Sequence, residues 1–283
     1  MIRNSIIKLF IFFLFSFTFS DDYVNLKKNI TSLLNTTDLI QYNNHIIVST
    51  SGGVYSINDP SLIINNDSDI TSMEINNDKL YISSSFPGRL YVYDNNFYIE
   101  SFIEYPNFDQ ILDIVFIDNF IFAIGIIDQN FVLIQYSINE SNQLQYLNYF
   151  DSFPIVFESI NDLCVFNDIL YLATSNGLLS IDYLNDILSL SNSWDINMYN
   201  LDLRSIVKNQ SNIYFSYDNK VIDIDSNEIV ALSNEEIIKS MQIKSNKLII
   251  ITNLNVYSYY LSDNIIETHM IIDDFSTNIV SYL

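Results

Sequence analysis

The chain of 283 residues holds one cysteine, five glycines, four prolines and two histidines, and each shortage removes a class of explanation. The lone cysteine, Cys164, rules out an intramolecular disulfide, so stability has to come from a packed core. His45 and His269 leave no zinc spacing and no Ser-His-Asp or Cys-His arrangement to build. With so few glycines and prolines, most turns must be made by Asn, Asp and Ser. Basic residues number 12 against 34 acidic ones, a formal net charge of -22. That field repels phosphate backbones and anionic membrane surfaces, which argues against nucleic acid as a partner. It favours cations, amines and basic proteins, and it keeps the protein soluble.

Long apolar runs are also missing, except at the start. Residues 1–20 read as a signal peptide: Arg3 and Lys8 are basic, Leu9 to Phe19 is apolar, and Thr18 and Ser20 are small residues suited to a cleavage site before Asp21. An uncleaved signal anchor is the alternative. Loss of this leader would leave 10 basic and 34 acidic residues, or -24. Residues 21–36 read as an exposed lead-in. Five Asn-X-Ser/Thr sequons, at Asn29, Asn35, Asn66, Asn139 and Asn209, are candidate glycan sites in a secretory-pathway chain. The expected location is extracellular or within an endomembrane lumen, with no membrane span after cleavage.

What is present in quantity is one pattern written six times. Two apolar positions two residues apart precede an Asn/Asp/Ser turn, and a β-branched and aromatic run follows. Ile70-Thr-Ser-Met73-Glu-Ile75-Asn-Asn-Asp-Lys-Leu80-Tyr-Ile82 and Ile160-Asn-Asp-Leu163-Cys-Val165-Phe-Asn-Asp-Ile-Leu170-Tyr-Leu172 are two clear copies. Aligned on the first apolar residue of the second strand, the anchors are Ile46, Leu80, Ile121, Leu170, Ile213 and Leu248. Seven residues before them stand Leu39, Met73, Ile114, Leu163, Ile206 and Met241, all apolar. Alternation before the anchor marks a strand, and continuous apolarity after it marks a strand buried on both faces. A third strand follows each second one, and a weaker fourth follows most. The five glycines fall at or beside the expected turn between strands two and three.

Repetition at this period, with four short strands per unit and no helical periodicity, predicts an all-β chain forming a single β-propeller. Six four-stranded blades over residues 37–283 are expected, starting near 37, 70, 112, 160, 203 and 238. Seven blades and a β-sandwich are the alternatives. A sandwich would show cleaner alternation and no such repeat. Ser276 to Leu283 reads as an extra closing strand. The repeat resembles the broad WD40-like and sensor-type propeller repeats over residues 37–283, without their Gly-His start or Trp-Asp end. That resemblance implies a fold and a ligand-binding platform.

Eight residues before each anchor stand Asp38, Ser72, Asp113, Asp162, Ser205 and Ser240, all short and polar. Propeller geometry places them as a ring at one mouth of the central channel. Three carboxylates there could hold a divalent cation through oxygen ligands, or an amine. Alternatively they end strands and satisfy loop backbone. No cofactor is otherwise expected. Asp223-Ile-Asp225-Ser-Asn227 resembles the start of a calcium loop but lacks its glycine and its closing glutamate. Cys164, between Leu163 and Val165, reads as a small buried hydrophobe.

Two functions follow from this reading. The first is a secreted or surface-displayed non-catalytic binding module, monomeric, recognising a protein or glycan through its loops. The second is a carbohydrate- or peptide-acting hydrolase or lyase with a carboxylate site in the central channel.

Overall fold

The computed structural model describes residues 36–271, apart from residues 44, 51, 57–61, 66–67, 140–142 and 245. The expected signal peptide, all of the lead-in before Thr36 and the closing strand at 276–283 lie outside the described residues. So do the sequons Asn29, Asn35 and Asn66.

Within those bounds the chain is almost entirely antiparallel β-structure. The first sheet holds β1 (Thr36–Tyr42), β2 (His45–Thr50), β3 (Gly53–Ser56) and β4 (Leu62–Asn65) in sequence order. A six-stranded sheet follows: β5 (Asp69–Asn76), β6 (Lys79–Tyr93), β7 (Ile99–Ile117), β8 (Phe120–Ile127), β9 (Asn130–Ile138) and β10 (Leu144–Phe150). Three four-stranded sheets complete the order. They are β11 (Ile160–Phe166) to β14 (Asp195–Asn197), β15 (Leu203–Lys208) to β18 (Glu228–Ala231), and β19 (Ile238–Lys244) to β22 (Ile265–Ile271). Between β11 and β14 lie β12 (Ile169–Thr174) and β13 (Gly177–Asp182). Between β15 and β18 lie β16 (Ile213–Tyr217) and β17 (Lys220–Asp223). Between β19 and β22 lie β20 (Lys247–Thr252) and β21 (Asn255–Tyr260).

The six-stranded sheet is two four-strand units run together by two long, bent strands. β6 pairs with β5 through residues 79–85 and with β7 through residues 85–93. β7 pairs with β6 up to Gln110 and with β8 from Gln110 onward. The register Ser85↔Gln110 is therefore the stitch between units two and three. Among the described residues, with the fused sheet divided at this stitch, each copy of the sequence pattern falls in a four-stranded antiparallel unit.

Hairpin chemistry follows the composition. The turns between first and second strands carry Asn43, Asn77 and Asp78, Asp118, Asn167 and Asp168, and Asn246 at positive φ between 48° and 63°. Asn and Asp tolerate that region best among residues with side chains, which is how the chain forms tight hairpins with so few glycines. Gly125 departs from the expectation that glycines mark the second-to-third turn. It lies inside β8, where an added Cβ would come within 2.4 Å of Ile134 Cδ1. Close packing, rather than a turn, requires it; that turn is made instead by Asp128 and Gln129, both at positive φ. His45 opens β2.

The core forms five clusters, and each one straddles two consecutive units. Tyr42, Ile47, Met73 and Leu80 belong to the cluster between units one and two. Leu90, Phe108, Ile111 and Ile121 represent the next. Phe122, Leu133, Leu163 and Leu172 represent the third. Leu178, Leu203, Ile213 and Phe215 mark the fourth, and Val221, Met241 and Leu248 the fifth. A sandwich would bury one core between two stacked sheets; here each sheet is covered by its neighbours in sequence, as in propellers. Met73, Leu163 and Met241 are 2%, 5% and 5% exposed, in equivalent places of three units. Replacing Met73 with Asp buries an unpaired charge between units one and two. The expected loss is about 3 kcal/mol or more, read by chemical denaturation. An unchanged midpoint would contradict this packing.

Candidate functional site

The feature shared by all six units is a bulge near the start of the first strand. Pairing between first and second strands steps from Thr36 to Asp38, Ile70 to Ser72, Ile111 to Asp113, Ile160 to Asp162, Leu203 to Ser205 and Ile238 to Ser240. One residue is skipped each time: Thr37, Thr71, Leu112, Asn161, Arg204 and Lys239. A bulge bends its strand and re-aims the side chains on either side of the extra residue. Here it turns the skipped residue and the short polar residue after it toward one axis.

The expected ring is brought together. Asp38, Ser72, Asp113, Asp162, Ser205 and Ser240 all line one cavity of about 260 Å³, and the six skipped residues line it with them. A larger cavity of about 710 Å³ shares Asp38, Ser72 and Asp113 and adds Leu39, Glu74, Gln242 and Lys244. Glu74 is reached by solvent but walled by protein. That burial, reinforced by the charge of Asp38, raises its carboxyl pKa to about 7.

The polar groups of the ring are heavily used within the fold. Asp38 accepts the Leu39 N–H on Oδ1 at 2.7 Å and the Met73 N–H of the next unit on Oδ2 at 2.7 Å. Asp162 repeats this, accepting Leu163 N–H at 2.8 Å and Ile206 N–H of the next unit at 2.7 Å. Asp113 accepts Ile114 N–H at 2.9 Å and the Ser72 hydroxyl at 3.0 Å, both on Oδ1. The skipped residues add a second tie. Thr37 donates to the Ile70 carbonyl at 2.7 Å, Thr71 to the Ile111 carbonyl, and Asn161 to the Leu203 carbonyl at 2.6 Å. Each of these carbonyls lies just before the next unit's bulge.

Asp113 and Asp162 line the same cavity. Desolvation is the main cause holding Asp113 well above the usual carboxylate range, and the charge of Asp162 adds to it. Desolvation also pushes Asp162 up, opposed first by the N–H groups of Ile206 and Leu163. Among the described residues, no three His, Cys, Asp or Glu side chains are grouped to hold a metal ion. The Asp223 segment forms a turn in which Asp223 Oδ1 accepts the Asp225 and Asn227 N–H groups. Cys164 is buried in β11, and desolvation pushes its thiol pKa up to about 12, so it stays a thiol.

The six polar residues singled out in the sequence line one cavity, but the sequence did not point to the skipped residues beside them, which beyond Thr37 and Thr71 are of unlike types. The trace was there in the apolar spacing. Ile70 and Met73, or Ile160 and Leu163, are both buried although three residues apart, which an unbroken pleat does not allow on one face.

The fold is of the β-propeller class. No protein-family model matches the chain, and no curated protein matches it either. Among solved structures, it is similar to the extracellular domain of a one-component system of B. thetaiotaomicron. The TM-score is 0.63 at 17% identity, covering 87% of this chain and 34% of that one. PorZ, a surface component of the type-IX secretion system of Porphyromonas gingivalis, gives 0.58 at 12% identity, over 76% of this chain and 37% of that one. Sqt1 of Saccharomyces cerevisiae gives 0.58 at 10% identity, over 84% of each chain. This chain spans about a third of the length of the first two structures. Identities this low speak for the fold alone. No helix among the described residues is long and apolar enough to cross a membrane.

Two outcomes test this account of the ring. Asp38→Ala strands two N–H groups, Leu39 and Met73, and is expected to cost about 2–4 kcal/mol in urea denaturation. Asp38→Asn keeps one acceptor oxygen and should lose about half of that. Because the ring carboxylates already serve backbone donors, millimolar calcium should leave the melting temperature unchanged. A rise that disappears in Asp113→Asn/Asp162→Asn would reveal a cation site instead.

Proposed function

We propose that this protein is a secreted or surface-displayed, non-catalytic binding module built on a propeller of six blades. Its recognition surface is the loop face around the channel mouth, and its ligand is a protein or glycan. The observation that carries this reading is the cavity of about 260 Å³ shared by the first strands at this end, with exposed apolar side chains on the connections beside it; such side chains also stand at the far end, Tyr98 and Leu184 among them. Phe86 is 69% exposed, Val156 87% and Tyr199 58%. Each sits on a connection into a first strand or between second and third strands, the end at which the ring lies. Exposed apolar and aromatic groups around a concave mouth are the usual anchors of an interface.

The two described sequons support the same face. Asn139 follows β9 and Asn209 follows β15, both on connections at the opposite end of their units. Glycans there would leave the mouth uncovered. Several similar structures are an extracellular domain or a surface component by description, which fits this setting.

The hydrolase or lyase reading needs carboxylates available to a substrate. Asp38 and Asp162 instead each spend both oxygens on backbone N–H groups, which favours the binding module.

Capture of the tagged protein from the medium of its own cells, with mass spectrometry of what accompanies it, tests the proposal. Val156→Asp/Tyr199→Asp should lose the partner, while Tyr98→Asp/Leu184→Asp at the opposite end should keep it. Retention by the mouth variant with loss by the other would move the interface to the far end.

A further inference from the structure

Five junctions between units are alike, and the place where a sixth would lie is different. β1 packs beside β5, β5 beside β7, β7 beside β11, β11 beside β15, and β15 beside β19. Among the described residues, β19 and β1 make no comparable contact, and no apolar cluster joins unit six to unit one. Exposure records the consequence. The anchor of each second strand faces the preceding unit, and Leu80, Ile121, Leu170, Ile213 and Leu248 are all 0% exposed. Ile46, the anchor of unit one, is 37% exposed. Leu39 is half-buried where Met73 and Met241 are buried. On the facing side, Ile249 of unit six is half-buried where Tyr81, Phe122 and Tyr214 are buried in the equivalent places of their units.

The cavity of about 710 Å³ lies at this junction. Leu39, Gln41 and Ile46 of unit one line it together with Gln242, Ile243 and Lys244 of unit six. Gln242 Oε1 is buried and has no hydrogen-bond partner among the described residues. Uncovered apolar side chains beside an unpaired buried oxygen mark a surface built to meet another segment.

The chain carries a segment that fits. Ser276-Thr-Asn-Ile-Val-Ser-Tyr282 matches Thr36-Thr-Asp-Leu-Ile-Gln-Tyr42, the whole of β1, position for position. Thr277 and Tyr282 repeat Thr37 and Tyr42, Ile279 and Val280 stand for Leu39 and Ile40, and Asn278 stands for Asp38. No charged residue occurs in it, which suits a mouth already rich in carboxylates. Its starting point is also right. β22 ends at Ile271 opposite Asn255, at the mouth end of unit six. The step from there to Ser276 corresponds to the steps from Asn65 to Asp69 and from Ala231 to Ile238, which begin other units.

We propose that residues 276–282 form a seventh first strand, seated between β19 and β1, that closes the ring of their own chain. The contacts follow from the neighbouring junctions. Thr277 donates to the Thr36 carbonyl, as Thr37 does to the Ile70 carbonyl at 2.7 Å. The Asn278 amide donates to Asp38, as the Ser72 hydroxyl does to Asp113 at 3.0 Å. Ile279 covers Ile249, and Tyr282 covers Ile46 as Tyr42 covers Leu80. The proposal is independent of what the mouth binds.

Hydrogen exchange and a mutant cycle on the full chain test it. In the wild type the amides of residues 278–282 should exchange slowly, like those of β1. Ile279→Asp should free them and lower protection in Thr36–Tyr42 and Ile238–Lys244, while Ile169–Thr174 is unchanged. Tyr282→Ala and Ile46→Ala should each lower the melting temperature by about 4–8 °C. Together they should lower it little more than either alone, because they remove two halves of one contact. Rapid exchange of residues 278–282 in the wild type, which needs no variant, overturns the proposal, and so do fully additive shifts. Slow exchange in a dimer that Ile279→Asp dissociates, read by light scattering, would mean that the segment crosses to a second copy, and it overturns the seat within one chain.

Discussion

The first strands of the described units bring Asp38, Ser72, Asp113, Asp162, Ser205 and Ser240 to one cavity, and most of the sheets they belong to share no backbone ladder with one another. Apolar packing between units supplies cohesion but little direction, because it depends on area more than on angle. Direction at the axis comes from the bulges. In units one, two and four the bulge places a polar side chain where it reaches the next unit's backbone, as Asp38 does to Met73, Thr71 to Ile111 and Asp162 to Ile206. Without the bulge, the same side chains would follow the pleat into a neighbouring sheet, where an unpaired carboxylate is costly.

The polar ring thus has a structural duty before any other. Five core clusters hold consecutive units together from below, and the ring fixes how they meet above. The tie varies with the residue available. Threonine and asparagine reach a carbonyl, and aspartate reaches an amide.

Much of this was legible in the chain. The apolar residues seven before each anchor predicted the buried seats of Met73, Leu163 and Met241, and the polar residues eight before predicted the ring. Asn and Asp in place of glycine predicted the tight first hairpins. Other features were hidden for physical reasons. A bulge has no residue signature of its own here, since Thr, Leu, Asn, Arg and Lys all occupy it. The fusion of two units through β6 and β7 depends on how far two bent strands continue, which local pattern does not record. Gly125 read as a turn residue because glycine permits turns, yet it serves close packing against Ile134. Asp113 and Asp162 come to line one cavity although they stand far apart in sequence, which only the fold creates.

Recognition has to be considered against that use of the mouth. Side chains that bind backbone donors are poorly placed to change partners, so the ring is a floor, and specificity falls to the loops above it. The loops that carry Val156 and Tyr199 are themselves anchored, Val156 O by the Asn176 amide at 2.8 Å and Asn200 N–H by the Asn176 carbonyl, while their apolar side chains project outward. A ligand seated there would touch several units at once and would bridge the junctions that the ring holds. Its affinity would then depend on how the units meet.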